Sequence, residues 1–399
     1  MRRERRPHPW LVLASLWLLV FSVTSQTMIL APILPRIAEQ LRVSEARLSV
    51  VATGYAVAVA AVALVAGPVS DHVGRRRMLL AGAAAMAVGL ALHAAARGLG
   101  GLLLVRVLTG AGGGVLTGAT GAYVGDYFPP ERRGWANGWV MSGMAAGQVL
   151  AVPLGTLLAA RWGFRVPFLG FAAAMALAWA MVWAFVPQPD VELCRDRITP
   201  RYLAGHYRAL VRRRDAAASV GVQAGIFLGT ALYVLYLPAW LEGSRGATAG
   251  GTALLFAAGG AATVAAGPAA GRLSDRLGRK RLVLGASLAL AAAMLATPAL
   301  VRGMPAAYAL FSLAMALFAT RAAPFQALQA ELVPDEQRGA LMSLSMAAGQ
   351  AGAGVGGALA GAAYALRGYP ATAALAAASS LAVAALVWKL LPETRRMPE

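Results

Sequence analysis

The chain has 399 residues, of which 59% are hydrophobic and only 13% charged, with a formal net charge of +19. Soluble domains carry about 25% charged residues, so the composition excludes an ordinary soluble globular protein and points to a polytopic membrane protein. The positive charge does not mark a nucleic-acid binder, because the basic residues stand between apolar spans and no basic face is interleaved with aromatics.

In chain order, "MRRERRPHPW" leads into an apolar stretch too long for a signal-peptide core and without an A-x-A-like cleavage site, which predicts a retained first helix. Twelve apolar segments follow, at 10–33, 46–68, 78–97, 100–124, 134–160, 166–187, 217–241, 249–270, 282–301, 304–330, 339–366 and 371–391. Each is long enough to span a bilayer with some tilt. With the N-terminus inside, the cytoplasmic tails and loops hold 25 Lys and Arg, the opposite side nine, and two, Arg106 and Arg321, lie within spans. That bias predicts a multi-pass protein of the cytoplasmic (inner) membrane with both termini cytoplasmic.

The expected architecture is all-α: a six-helix half at 1–187, a cytoplasmic linker at 188–215 and a second six-helix half at 216–399. In the linker, Leu203, Tyr207 and Leu210 recur at helical spacing among basic residues. An amphipathic helix on the inner membrane face and a solvated connector both fit. Cys194, the one cysteine, excludes an internal disulfide, and no metal-ligand cluster surrounds it. No metal or cofactor is expected.

One charged phrase occurs twice, "GPVSDHVGRRRM" at 67–78 and "GRLSDRLGRKRL" at 271–282. Asp71 and Asp275 differ by 204 positions, as do Gly74 and Gly278, and Arg75 and Arg279. "PPERRGWANG" before the fifth segment likewise has a counterpart, "VPDEQRGALMS", before the eleventh. A six-span duplication is the mark of a transporter built from two pseudo-symmetric halves.

The repeated phrase resembles the G-x-L-A-D-R-x-G-R-K-x-x-L loop motif of the major facilitator superfamily. Gly67, Asp71, Gly74, Arg75 and Arg76 match in the first copy, and Gly271, Asp275, Gly278 and Arg279 in the second. The resemblance implies twelve transmembrane helices in two pseudo-symmetric six-helix halves. It also implies a conformational latch, in which Asp71 meets the positive end of the eleventh helix, Arg75 pairs with Asp126, and Glu331 is the equivalent acid in the second half. Plain topological charge is the alternative reading.

Three further stretches bear on mechanism. "RVLTGAGGG" (Arg106, Gly110, Gly112) resembles the family's R-x-x-x-G-x-G pattern, which implies a proton-transfer role for Arg106 in antiporters; an intramembrane arginine is a functional candidate by default. "GMAAGQVLAVPLG" (Gly143, Gly147, Pro153, Gly155) is a partial match to the antiporter-associated motif, and ordinary close packing explains it equally well. "GQAGAGVGGALAG" contains G-x-G-x-x-G, but no strand precedes it, and helix packing is the reading taken.

In the fold implied, the first, fourth, seventh and tenth helices line a central cavity. Arg106 and Arg321 then approach it from the two halves, with Gln26, Thr27, Tyr55, Gln148, Gln223, Tyr233, Tyr236, Phe325 and Gln326 as candidate substrate contacts. No acid lies deep in any span, including the first, where many proton-driven exporters carry one. The expected function is secondary active transport of a small molecule, proton-coupled efflux of a drug or metabolite. The alternative is a facilitator or importer of an organic anion. No ionisable cluster supports an enzyme, no loop is long enough for a sensor domain, and the expected partners are substrate, protons and lipid, with the chain acting as a monomer.

Overall fold

The structure is a computed structural model that describes residues 8–189, 207–208 and 210–392. The expectations for Cys194 and Leu203, and for the carboxylates of Asp71 and Asp275, lie outside the described residues and side chains. Among the described residues there is helix and no strand, as a bilayer demands of a chain that must satisfy its own backbone.

The first half contains α1 (Pro9–Met28), α2 (Leu30–Leu41), α3 (Ser49–Val73), α4 (Arg75–Leu92), α5 (Leu99–Tyr127), α6 (Pro130–Ala146), α7 (Val152–Trp162) and α8 (Arg165–Phe185). The second contains α9 (Arg214–Val234), α10 (Leu237–Arg245), α11 (Ala249–Leu277), α12 (Arg279–Leu300), α13 (Met304–Glu331), α14 (Asp335–Arg367) and α15 (Tyr369–Leu390). These fifteen helices make twelve spans, because the first, fifth and seventh are interrupted. The first span breaks between α1 and α2 at Ile29, the fifth between α6 and α7 at a π turn over Gly147–Ala151, and the seventh between α9 and α10. Eleven spans are long and apolar enough to cross a membrane. The remaining one, α14, has the length at 33 residues, and its glycine run lowers its hydropathy.

The helix ends follow from local chemistry. Pro9, Pro130, Pro153, Pro238, Pro305 and Pro370 stand in first turns, where a missing N–H costs nothing. Gly74 and Gly278 turn the chain between α3 and α4 and between α11 and α12 at φ of 100° and 92°, conformations that a side chain would strain.

The halves share one packing plan. The contacts α3–α5, α4–α5, α4–α8, α1–α6 and α1–α8 recur as α11–α13, α12–α13, α12–α15, α9–α14 and α9–α15. The glycines permit these close approaches. A Cβ on Gly110 would lie 2.6 Å from the Tyr55 carbonyl, and one on Gly112 would lie 2.8 Å from Met86 N. Gly143 and Gly147 seat the fifth span on α1, against Trp17 and Ser25, and Gly155 meets Ile29. On α14, Gly352 and Gly356 face α9, whereas Gly354 and Gly357 face α3 across the halves. The G-x-G-x-x-G run is thus a two-sided packing surface.

Candidate functional site

The seam between the halves is where a rocking transporter would carry its path, and it closes at one end. The first and seventh spans start, and the sixth and twelfth end, at one face, called here the terminal face; the other is the far face. Along the middle, α3 packs on α14, and Thr53 Oγ1 donates to the Gly354 carbonyl at 2.9 Å. At the far face α2 meets α10 and α11, and the 3-10 turn Glu45–Leu48 meets α14. Tyr236 Oη donates there to the carbonyls of Glu45 and Ala46, at 3.1 and 3.2 Å, and its ring stacks on Tyr364 at 4.6 Å. Arg36 crosses the seam to Glu242 at 3.5 Å while also holding Glu39 of its own helix at 3.1 Å. Toward the terminal face α3 and α14 stay in van der Waals reach as far as Gly67, where a Cβ would lie 3.9 Å from Ser343 Oγ. The fifth span touches α11 through α7 and the π turn rather than through α6, and the seventh meets the first through α10 and α2 rather than through α9 and α1. The described contacts therefore join the halves most firmly at the far face.

Inside the first half, Arg106 is 1% exposed and sits at the hub of a polar network. One Nη donates to the Gln26 side-chain oxygen at 3.0 Å and to its backbone carbonyl at 3.3 Å. Gln26 Nε2 donates to Tyr55 Oη and to Thr27 Oγ1, both at 2.8 Å, and Tyr55 Oη lies 2.9 Å from Thr27 Oγ1. The guanidinium stands 4.5 Å from the Tyr55 ring centre, a cation–π geometry. Four predicted residues thus form one unit. Arg106 Nε has no hydrogen-bond partner among the described residues, and its nearest polar partners are neutral. His93, a titratable group that the sequence offers for proton coupling, stacks on Phe168 nearby at 4.1 Å, with Nδ1 2.8 Å from the Gly89 carbonyl.

The second half is arranged differently from what the sequence suggests. Arg321 does not reach the seam. It is 1% exposed and donates to Ser380 of α15 at 3.1 Å, while Ser380 donates to the Ser287 carbonyl of α12. That encloses it among the spans of its own half. Tyr233 also points inward, to Thr297 at 2.9 Å, and Phe325 is core. Gln223 is buried against Gly349 on the α9–α14 contact, and Gln326 is exposed on α13. Small residues on these helices leave room for large neighbours to turn inward, which a one-dimensional pattern does not reveal. Among the described contacts, Tyr236 is the second-half candidate that meets the other half directly. Gln148 does so from the first half, close to Gly260 of α11.

The repeated charged turns are clamps within each half. Arg75 Nε binds Asp126 at 2.7 Å across the ends of α4 and α5, and Arg279 pairs with Glu331 at the equivalent ends of α12 and α13. Arg76 donates to the Val186 and Trp183 carbonyls at the end of α8, at 2.7 and 2.6 Å, and Lys280 donates to the Leu391 carbonyl beyond α15 at 2.6 Å. Cations there satisfy orphan carbonyls and the negative helix end. A Cβ on Gly67 would lie 3.9 Å from Ser343 Oγ of the other half, in van der Waals range, and one on Gly271 would meet nothing within 4 Å. Arg75, Arg76, Arg279 and Lys280 each thus have a partner within their own half. Residues that do cross it, Arg36, Glu242 and Glu45, were passed over as loop or span-end charges; only their place at the outer ends of the first, second and seventh segments hinted at them.

The sequence profile of the Major Facilitator Superfamily matches residues 16–242 and 220–399. The chain belongs to this superfamily of membrane transporters. It is 28% identical over 192 residues to an uncharacterized MFS-type transporter, YceJ, of Bacillus subtilis, a match covering 47% of this chain and 49% of that protein. It is 26% identical over 291 residues to the multidrug resistance protein MdtG of Yersinia enterocolitica, covering 69% of this chain and 67% of the relative. MdtG of Proteus mirabilis matches at 26% over 278 residues, 67% of this chain and 68% of that one. The crystal structure of a D-xylose-proton symporter superposes with a TM-score of 0.77 at 19% identity, covering 96% of this chain and 98% of the other, and establishes the shared fold.

Proposed function

We propose that this superfamily member exports a small molecule across the cytoplasmic membrane in exchange for protons, by rocking one six-helix half against the other. The observation that carries the reading is the far-face seam: halves bridged there by Arg36–Glu242 and Tyr236–Glu45, with the fifth and seventh spans crossing through their far-face segments α7 and α10. With the terminal face in the cytoplasm, as the arginine bias favours, these bridges close the outer side, and the substrate would load from inside. The names of the MdtG relatives support a drug-like substrate. Arg106 and its Gln26–Tyr55–Thr27 network are the proposed coupling or binding centre.

A second reading is favoured by one observation. Arg106 lies buried among neutral partners, so its natural counter-charge is an anionic substrate. The chain would then be a facilitator or importer of organic anions, without proton exchange. Proteoliposomes with an internal pH dye and an imposed pH gradient separate the two. Substrate-dependent proton flux on adding drugs, lost in Arg106→Ala, supports exchange. Substrate movement of an organic anion without proton flux overturns exchange and leaves the anion facilitator.

A further inference from the structure

On the flank of the second half, at the membrane boundary of the terminal face, α11, α12 and α13 leave a cavity of about 540 Å³. Its shape follows from a strip on one face of α12. Arg281, Gly285 and Ala289 are four residues apart, so they stack one above the other. Two small residues therefore run inward from a charged one for about 12 Å along the helix. A Cβ on Gly285 would meet nothing within 4 Å, so the slot is open there. Leu277 and Leu317 give it apolar sides. Arg276, from the last turn of α11, adds a second guanidinium on the other side of the Gly278 turn, and both arginines are exposed at the mouth.

A slot with two cations at the water boundary and a smooth apolar floor running into the membrane matches one chemistry, an anionic head joined to a hydrocarbon chain. The geometry points to a bound anionic glycerophospholipid, its phosphate held by Arg276 and Arg281 and one acyl chain lying over Gly285 and Ala289. Arginine offers a fork that suits phosphate oxygens. A zwitterionic lipid brings its own ammonium group toward the two guanidiniums and is disfavoured. The site is separate from the seam contacts α3–α14 and α7–α11, so it is no part of the transport path. A lipid in it braces α11 and α12 against α13 and stabilises the second half by mass action.

The test is native mass spectrometry of the purified full chain with matched-chain phosphatidylglycerol and phosphatidylcholine, alongside thermal unfolding. Phosphatidylglycerol should be retained in preference and raise the unfolding temperature. R276Q/R281Q should weaken its retention by about 30-fold. G285W should block retention while the lipid-free unfolding temperature stays at the wild-type value, since the added ring enters open space. Equal retention of the two lipids, or wild-type retention by both variants, overturns the proposal. Displacement of phosphatidylglycerol by millimolar inorganic phosphate also overturns it, because the mouth would then be a free-anion site.

Discussion

Breaking the charge bridge at the far face should shift the protein toward a conformation open on that side. Arg36 Nη2 lies 3.5 Å from Glu242, with side chains 33% and 15% exposed. Two unit charges at that separation attract by about 5 kcal/mol at an effective dielectric near 20. Solvent reaches the arginine, and Glu39 competes for it at 3.1 Å, so the net contribution falls to about 1 kcal/mol, as for other accessible pairs. In a two-state equilibrium, about 1 kcal/mol is roughly a five-fold change in the closed-to-open ratio. Arg36→Gln should therefore raise the far-side-open population about five-fold. Spin labels at Gln40→Cys and Ser244→Cys, in a Cys194→Ser background, would read this by pulsed electron–electron resonance as growth of a longer-distance peak. The charge swap R36E/E242R should restore the wild-type distribution. An unchanged distribution in Arg36→Gln, or a swap that behaves like the single variant, would refute the assignment of this pair to the gate.

Other consequences follow from the same geometry. Arg76→Ala and Lys280→Ala each remove a cation from a helix C-terminus and should each cost about 1 kcal/mol, read as a lower unfolding temperature in detergent. Gly356→Leu drives a side chain into the Leu228 carbonyl, which a Cβ alone approaches to 2.6 Å, and should destabilise by about 1–3 kcal/mol or abolish expression of folded protein. Gln26→Leu removes the side-chain acceptor for Arg106 at similar volume and leaves it only the longer bond to the residue-26 carbonyl; it should abolish transport while leaving the protein monodisperse, since a buried charge then loses its better partner.

Much of this architecture was legible in the sequence, for a physical reason. A span must be about twenty apolar residues long and its backbone self-satisfied, so composition alone marks where helices cross. The 204-residue repeat likewise exposed the two-half plan, and Arg75 with Asp126 are in contact as the motif implied. What the sequence hid were matters of direction. Arg321 and Tyr233 sit on helices expected to line the cavity, yet their side chains turn into their own half, toward Ser380 and Thr297. Helix rotation is set by which neighbour is small, here the glycines and alanines of several other spans, and no window of sequence holds that information. Glu242 and Arg36 were obscured for the opposite reason. Charges near span ends look like loop charges until α2 and α10 are folded against each other.

The central claim is that transport requires the halves to part at the far face. A Cβ on Gly357 would lie 3.6 Å from the Ala52 Cβ across the seam, within the separation that a disulfide spans. The decisive measurement is substrate uptake by proteoliposomes bearing A52C/G357C in the Cys194→Ser background, before and after oxidation and again after reduction. Uptake that stops when the pair is oxidised and returns on reduction is the predicted result. Full transport by the cross-linked protein would contradict the rocking account.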